Sequence, residues 1–473
     1  MAYPEPTEVA PWYLRNITQA LALDETSGNV YIRTDANVSI GSANITVGNV
    51  GVTSLGNVDI SGNTLPVSGN ITIDNSSIVT SFQPNATDAF GRLRVSNPLT
   101  LFDTQNRYFD HDLFSTKLTG SGNSTYNANS STFLLTVSGT GDSVIRETYK
   151  TFIYQPGKSL LVLNTFAMNT PTASLTQRVG YFNTNNGIFF EVSGTTLNMV
   201  IRSYSSGSIV EDRISQSAWN GDKLNGTGTS GITLNVALTQ IFWTDIEWLG
   251  VGSVRVGFVI NGQFITCHTF NHANQAGNTT TYMTTATLPL RYELSSTGPA
   301  GSLNQICSTV ISEGGYSPTG LPKSIGHALA SPVRLPNDQT FKPLISIRLK
   351  STNADAVVVP VNYSIAAVAS SIYKYRIYKK AVTSGGSWVS AGSDSSVEYN
   401  LAPTAIVSGT VAEESFIISS NQSSQAPSQQ EFSFEDQLQR DALNTVYYEY
   451  VITAATTGTN QDLYASLDWH EVS

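Results

Sequence analysis

The sequence predicts an all-β protein. A short N-terminal helix and a slender β-repeat shaft precede a jelly-roll-like antiparallel β-sandwich and a second β-rich domain. Strand-like runs separated by Gly, Asn and Ser recur about every ten residues from Phe133 onward. Residues 240–270 concentrate aromatic and β-branched side chains, and residues 29–78 repeat a short Asn-containing motif. These three observations are the basis of the fold prediction.

The densest stretch, residues 240–270, predicts three strands joined by two tight turns. Residues 250–253 form the first turn. Asn261 and Gly262 form the second, because both central residues of a type I′ turn need a positive φ. Apolar residues alternate along the middle strand, as they do when one face of a strand is buried. We predict that this meander forms the centre of the sandwich.

Composition limits the classes of function. The chain has 473 residues, 40% of them hydrophobic, which suffices for about two or three domains. Only 13% are charged, whereas soluble proteins have about a quarter. The net charge is −10 and no basic run occurs, so we expect no nucleic-acid partner. A polar but uncharged surface is typical of extracellular and virion β-proteins.

The start of the chain bears on where the protein is made. It lacks the basic start and apolar core of a secretory signal, and no apolar run is long enough to span a bilayer. We therefore expect no membrane insertion. An exported-like composition in a chain made without export fits a phage structural protein assembled in the host cytoplasm. The expected location is the virion.

Residues 1–25 are predicted to be an attachment segment. Within them, residues 11–23 predict a short helix, with Pro11 in its first turn and an apolar face. A helix of this length is marginal alone, so its apolar face is expected to dock. It docks either onto a larger assembly or onto the protein's own next segment. The candidate attachment residues are Trp12, Tyr13, Ile17 and Leu21.

Residues 26–84 are predicted to form a slender β shaft. Copies of an Asn-apolar-polar-apolar theme begin at Asn37, Asn44 and Asn70, among other positions, and Gly or Ser separates most of them. Each copy makes a strand too short to bury its own apolar side chains. Stacking against copies from other chains buries them, so we expect a homotrimer. The alternative is a disordered low-complexity linker, which the regular placement of Val and Ile disfavours.

The rest of the chain is predicted to form two β domains, residues 85–320 and 321–473. Residues 408–430 are rich in Ser and Gln and predict a segment that is at least in part an exposed loop, and residues 434–443 predict a short helix. Strands of the first domain are predicted at residues 133–137, 143–148, 160–165, 177–182, 187–192 and 198–203. Strands of the second are predicted at residues 344–350, 356–367, 373–380, 445–452 and 464–472.

Several strings in the first domain carry a resemblance to a known family. They are residues 89–103, 154–159, 219–228, 245–252, 288–293 and 307–316. These strings look like a virion structural protein family of tailed bacteriophages, notably large marine phages of cyanobacteria. The resemblance covers about residues 85–320. It implies a structural role in the virion but not a position on the particle. Together with the predicted shaft and attachment segment, it leads us to expect a trimeric fibre- or spike-type appendage, with other virion proteins of the tail, baseplate or neck as partners.

A second resemblance concerns the first strand of the meander. Residues 243–250 look like the catalytic strand of jelly-roll retaining β-glucanases, in which three carboxylates alternate on one face. Asp245 and Glu247 match the second and third acids, but Trp243 replaces the nucleophile. Retention needs two carboxylates about 5 Å apart that flank the anomeric carbon, one of which is the nucleophile. Because Trp243 stands at the position of the nucleophile, we expect no enzyme activity.

Other interpretations of this strand remain open. Trp243, Asp245 and Glu247 form a lectin-like face that binds host surface glycan, or the two acids pair with Arg255 on the next strand. At the level of the whole protein, the alternatives to a fibre are a glycan-binding or depolymerising host-recognition protein and a collar or capsid cement protein without host contact. The candidate binding residues are Trp243, Asp245 and Glu247.

The remaining residues that could carry chemistry are scattered. His268 and His272 have the spacing of a metal pair only on a helix, and this segment predicts a strand that runs into a loop. No phosphate-binding loop, nucleophile motif or cysteine metal site occurs in the sequence. We expect no cofactor and no metal. Cys267 and Cys307 are expected to be buried thiols, with a disulfide between them in an oxidising medium as the alternative.

The shaft motif makes a prediction about oligomeric state. We expect the isolated protein to be a trimer in sedimentation experiments, because its shaft side chains have no core within one chain. A stable, fully folded monomer at micromolar concentration would contradict this expectation. The side chains concerned are those of Val38, Ile40, Ile45, Val47, Val58, Ile60, Ile71 and Ile73.

Overall fold

The computed structural model describes residues 21–23, 30–32, 97–317, 320–419, 425–429 and 433–472. The chain divides into two compact units, residues 1–82 and 83–473. The all-β prediction is confirmed, because the described regular elements are strands apart from four short 3-10 helices. No helix among these residues is long and apolar enough to cross a membrane. The 3-10 helices are Gln216–Ala218, Ser351–Asn353, Phe434–Asp436 and Ala442–Asn444.

In the first unit, the structure corrects the predicted helix at its C-terminal end. Strand β1 (Leu21–Leu23) pairs antiparallel with β2 (Val30–Ile32), and Leu21 lies opposite Ile32. A short isolated helix is marginal, whereas Val, Tyr and Ile favour a strand that can satisfy the backbone of β1. Trp12, Tyr13 and Ile17, with the shaft repeats, lie outside the described residues, so attachment and trimer formation stay predictions.

The second unit begins with a sandwich of two antiparallel sheets. Its first eight strands are β3 (Leu99–Thr104), β4 (Phe114–Thr119), β5 (Asn123–Asn127), β6 (Thr132–Val137), β7 (Ser143–Thr148), β8 (Leu160–Met168), β9 (Leu175–Phe182) and β10 (Gly187–Ser193). The next seven are β11 (Thr196–Ser203), β12 (Val210–Ser215), β13 (Gln240–Ile246), β14 (Val254–Ile260), β15 (Gln263–Phe270), β16 (Leu290–Ser296) and β17 (Gly301–Ser312).

The order of these strands determines which of them lie at the edges of the two sheets. One sheet has seven strands in the order β12-β11-β10-β9-β16-β7-β4. The other has eight, in the order β15-β14-β13-β8-β17-β6-β5, with β3 also paired to β17. Strands β12 and β15 are therefore edge strands of the two sheets. The strands predicted between residues 133 and 203 all occur, with boundaries that differ by a few residues.

Aromatic side chains from both sheets fill the core of this sandwich. Phe190 of β10 lies 6.2 Å from Phe166, 6.0 Å from Phe242 and 5.2 Å from Phe258, measured between ring centroids. Strands β13 and β14 thus place Phe242 and Phe258 in the core, as their alternation predicts. The meander is nevertheless not central, because β15 is an edge strand and exposes Phe264. Alternation identifies the buried face of a strand but not its position in the sheet.

The second sandwich follows with eleven strands. A five-stranded sheet has the order β18-β28-β21-β26 with β19 beside β28, and a six-stranded sheet has the order β23-β24-β20-β27-β22-β25. The strands are β18 (Gly320–Gly326), β19 (Val333–Arg334), β20 (Lys342–Leu349), β21 (Val357–Ala367), β22 (Ser371–Ser384), β23 (Val389–Ser390), β24 (Val397–Asn400), β25 (Ala405–Ser419), β26 (Gln425–Gln429), β27 (Glu449–Thr456) and β28 (Asp462–Val472).

The structure revises two local predictions for this sandwich. The described part of residues 408–430 is strand rather than loop, because β25 pairs with β22 along its length and β26 pairs with β21. Most described side chains of β25 are exposed, so its composition resembles that of a loop. Residues 434–443 do not form one helix. They contain the 3-10 helix Phe434–Asp436 and the start of Ala442–Asn444, in which Leu443 has a non-helical φ of 66°. The four-domain division of the chain stays a prediction.

A buried ionic cluster joins the two sandwiches. Glu147 of β7 accepts a hydrogen bond of 2.6 Å from Nε of Arg291 on β16, and it pairs at 2.9 Å with Arg440 of the second sandwich. The side chains of Glu147, Arg291 and Arg440 are 1%, 3% and 4% exposed. Arg440 also donates from Nη1 to the carbonyl of Thr148 at 2.9 Å. All three charges therefore have partners, which burial requires.

Backbone contacts and an apolar cluster surround this ionic cluster. The Arg440 amide donates to the carbonyl of Tyr149 at 3.1 Å, and Gln437 Nε2 donates to the carbonyl of Thr151 at 3.0 Å. The apolar cluster contains Ile153 of the first sandwich and Val357, Val359 and Val472 of the second. We call the ionic cluster, these hydrogen bonds and the apolar cluster the junction.

The junction predicts an asymmetry between two Glu→Gln substitutions. In Glu147→Gln the shape is retained, but two buried guanidinium groups lose the charge that they share. We expect the free energy of unfolding to fall by about 3–5 kcal/mol, measured by urea denaturation.

Glu414→Gln is the matched control, because Glu414 also pairs with two cations, Lys374 and Arg376, but on the surface. Surface pairs contribute little, so we expect no measurable shift of its unfolding midpoint. Equal shifts in the two variants would contradict the role assigned to the junction.

Candidate functional site

The predicted binding face lies on β13. Register pairs Trp243 with Gly257 of β14 and Asp245 with Arg255, while Phe242 and Ile246 point into the core. Trp243 and Asp245 therefore share the outer face of the eight-stranded sheet, as predicted.

Trp243 is well covered on this face. It is only 4% exposed, and its ring lies edge to face against Phe264, with centroids 5.5 Å apart. Its indole Nε1 is buried and has no hydrogen-bond partner in the described part of the chain. A sugar that stacks on an aromatic ring needs an open ring face, which Trp243 does not offer.

Asp245 forms the cross-strand ion pair that is one of the predicted alternatives. Nε of Arg255 donates to Oδ2 of Asp245 at 2.9 Å. Asp245 is buried, whereas the side chain of Arg255 is 60% exposed, so the pair is open to water on the arginine side.

Glu247 does not join this pair. Strand β13 ends at Ile246, and Glu247 is exposed in the turn that follows, with its amide bonded to the carbonyl of Ser253 at 3.1 Å. The turn closes when the Gly252 amide donates to the carbonyl of Trp248 at 2.7 Å. The predicted alternation therefore stops before Glu247. The use of Trp243, Asp245 and Glu247 as a binding site stays a prediction.

A different acid is electrostatically linked to Asp245. Glu313 follows β17, and burial together with the negative charge of Asp245 raises its pKa. The two acids meet because β8 lies between β13 and β17 and aligns Asp245, Leu161 and Ile311 across the sheet. Sequence separation conceals this proximity.

The histidines of the meander have fixed hydrogen bonds. Nδ1 of His268 accepts from the backbone amide of Asn220 at 3.2 Å, and Nδ1 of His272 lies 2.8 Å from the carbonyl of Gly252. No group of three His, Cys, Asp or Glu side chains within the described ranges could hold a metal ion. Cys267 is buried and Cys307 half-buried, and the two are not bonded to each other.

A polar cleft lies where the two sheets end. It has a volume of about 440 Å³ and is bounded by β11 and β12 on one side and by β15 with the following loop on the other. We call it the edge cleft. Sequence analysis missed it, because its two sides are about 55 residues apart in the chain. In the sequence, the feature that could have indicated the cleft is a polar residue at an inward-facing position of each edge strand. Lining residues include Asp212, Asn220, His268, Asn271, His272 and Tyr282.

Comparison with known proteins gives distant structural similarity only. No family model and no curated protein matches the chain. Similar solved structures include a glycoside hydrolase family 16 endo-glucanase from Bacteroides ovatus. The two are 9% identical in sequence, the match covers 44% of this chain and 99% of that chain, and the TM-score is 0.30. The CBM2 module of the evolved Dit of Lactobacillus casei BL23 phage J-1 is 8% identical, with a match that covers 47% of this chain and 100% of that chain and a TM-score of 0.30. Peanut lectin is 10% identical, with a match that covers 46% of this chain and 98% of that chain and a TM-score of 0.27.

The geometry of the β13 face predicts a structural rather than catalytic role for its acids. In the double variant Asp245→Ala with Glu247→Ala, we expect the free energy of unfolding to fall by about 1 kcal/mol, because the pair with Arg255 is lost. Thermal unfolding measures this change. The control is Glu247→Gln, which alters an exposed group outside the strand and should leave the unfolding temperature unchanged.

The same proteins should release no reducing sugar from β-glucans or host surface polysaccharide. Release by the purified wild-type protein, abolished in Glu247→Gln, would contradict the structural role of the acids and favour hydrolysis.

Proposed function

We propose that the protein is a structural component of a tailed-phage virion. It forms a trimeric fibre- or spike-type appendage that is attached to the tail, baseplate or neck by its N-terminal segment. The observation that carries the proposal is the junction between the two sandwiches. Opening the junction would separate Glu147 from Arg440, break backbone hydrogen bonds and expose the apolar cluster.

A stiff two-part body suits the head of an appendage. Such a head is held at one end and loaded at the other, so it must keep its shape when the two parts are pushed. A flexible linker between domains would allow relative motion, which is the usual behaviour of small polar interfaces. The junction instead combines paired buried charges with apolar packing, so the two sandwiches respond as one body.

The sequence supplies the other support for this proposal. Residues 26–84 carry a repeat that needs neighbouring chains to bury its Val and Ile side chains. The strings within residues 85–320 resemble a virion structural family, and the surface is poor in charge for a protein of this length. An electron-microscopy map of the phage particle that encodes the chain tests the proposal directly. Density for the two sandwiches on a tail, baseplate or neck is the expected result.

Deletion of residues 1–25 tests the attachment. The truncated protein should remain soluble and folded, because both sandwiches lie beyond residue 96. It should fail to enter particles when it is supplied in place of the full chain, measured by quantitative immunoblotting of purified virions. Circular dichroism checks that the truncated head is folded. Incorporation at the level of the full-length protein would contradict attachment through this segment.

A further inference from the structure

The edge cleft lies at the open side of the first sandwich. Asp212 of edge strand β12 is opposite Ile201, a core residue, so the two side chains share the inner face of the seven-stranded sheet. His268 of edge strand β15 is opposite Val256, also a core residue. Each edge strand therefore places one polar group, Asp212 or His268, on its inner face beside apolar ones.

The hydrogen bonds around His268 decide its tautomer. A backbone amide can only donate, so the bond from the Asn220 amide requires an unprotonated Nδ1 on His268. The neutral ring then carries its proton on Nε2. Burial lowers the pKa of His268, which favours this neutral form. His268 consequently offers a donor, Nε2–H, to the cleft.

His272 has the opposite tautomer. A carbonyl can only accept, so the contact with the Gly252 carbonyl requires a proton on Nδ1 of His272. Nε2 then remains an acceptor. The ring stacks on Tyr282, with centroids 3.8 Å apart and planes 8° from parallel, and burial lowers its pKa as well. The cleft thus has one neutral imidazole that donates and one that accepts.

The loop that carries His272 is held in place from several sides. Ser253 Oγ donates to Asn271 Oδ1 at 2.9 Å, and the Tyr282 amide donates to the carbonyl of Gly250 at 3.0 Å. Asn278 Nδ2 donates to the carbonyl of His272 at 3.2 Å. These bonds fix the cleft before any ligand arrives, which reduces the entropy that binding has to overcome.

Charge restricts the class of ligand. Among the described residues that line the cleft, Asp212 carries a charge and none is Lys or Arg. Its carboxylate is close enough to act on both imidazoles, since its charge opposes the lowering of their pKa values. Phosphate, sulfate and acidic sugars would meet a negative charge without a cation to balance it. The cleft therefore suits a neutral ligand.

We propose that the edge cleft binds a neutral carbohydrate. A sugar hydroxyl both donates and accepts hydrogen bonds, so adjacent hydroxyls can accept from Nε2–H of His268 and donate to Nε2 of His272 and to Asp212. Amide side chains of Asn271 and Asn278 add further donors and acceptors. The volume of about 440 Å³ falls in the range of small-molecule sites. The site is separate from the β13 face and does not depend on where the protein sits in a particle.

Binding to an array of neutral oligosaccharides tests the proposal. The array carries α- and β-linked oligomers of glucose, galactose, mannose and N-acetylglucosamine, and the full-length wild-type protein is the probe. At least one oligosaccharide should bind, and titration calorimetry then gives its Kd. His268→Ala should raise this Kd about ten-fold or more because it removes a hydrogen bond, and Asp212→Asn should do so because it removes the charge that strengthens one.

Controls separate this site from the rest of the molecule. Glu414→Gln, in the second sandwich, should bind as the wild type does, and thermal unfolding checks that every variant is folded. The proposal is overturned by a folded wild-type protein that binds no array member, by binding that Asp212→Asn and His268→Ala leave unchanged, or by loss of binding in Asp245→Asn alone. A parallel panel of acidic sugars and extended peptides is probed in the same way, and binding confined to that panel also overturns the proposal.

Nitrogen NMR gives an independent readout. The chain has five histidines, so histidine-selective ¹⁵N labelling yields few signals. The free protein should show His268 as the Nε2–H tautomer and His272 as the Nδ1–H tautomer, with both Nε2 signals shifted when the bound oligosaccharide is added. The His268→Ala and His272→Ala variants assign the two sets of signals. Unshifted Nε2 signals in the saturated complex would overturn the proposed contacts.

Discussion

The placement of Glu147 between Arg291 and Arg440 is the interaction on which the rest of the second unit depends. Three charges that are almost completely removed from water are stable only as a group, since each loses solvation that only its partners replace. Two partners come from the first sandwich and one from the second. The cluster therefore fixes the relative position of the sandwiches, and both the apolar contacts of the junction and the backbone bonds of Arg440 depend on that position.

The same logic extends along the outer face of the seven-stranded sheet. Arg178 pairs with Glu191 at 2.8 Å and with Glu293 at 2.6 Å, so one guanidinium joins three neighbouring strands. Phe182 and Phe189 are fully buried on this outer face. The guanidinium of Arg178 lies over the ring of Phe189, and that of Arg291 lies over the ring of Phe182. A chain with few charges thus concentrates several of them where they set strand register.

The edges of the first sandwich have a different chemistry from its centre. Between the sheets, Phe166, Phe190 and Phe242 exclude water, whereas the inner faces of the two edge strands carry Asp212 and His268. An edge strand needs protection from pairing with other chains, and polar inward groups supply part of it. At this edge His268 accepts a hydrogen bond from the backbone amide of Asn220, which fixes its tautomer. That combination of polarity and rigidity makes the edge cleft, rather than the covered Trp243, the stronger candidate for ligand recognition.

The sequence by itself determined the strand content, the buried face of most strands and the second turn of the meander. Asn261 and Gly262 have φ values of 53° and 76°, as the turn type requires, and this hairpin-bearing meander also made the Asp245–Arg255 pair foreseeable. These features follow from local periodicity and local backbone preference. The tertiary structure alone decided that β15 is an edge strand, that Glu313 comes near Asp245, and that Glu147 meets a residue 293 positions later. Many strand orders satisfy the same alternation, so only the packing of whole sheets brings distant polar residues together.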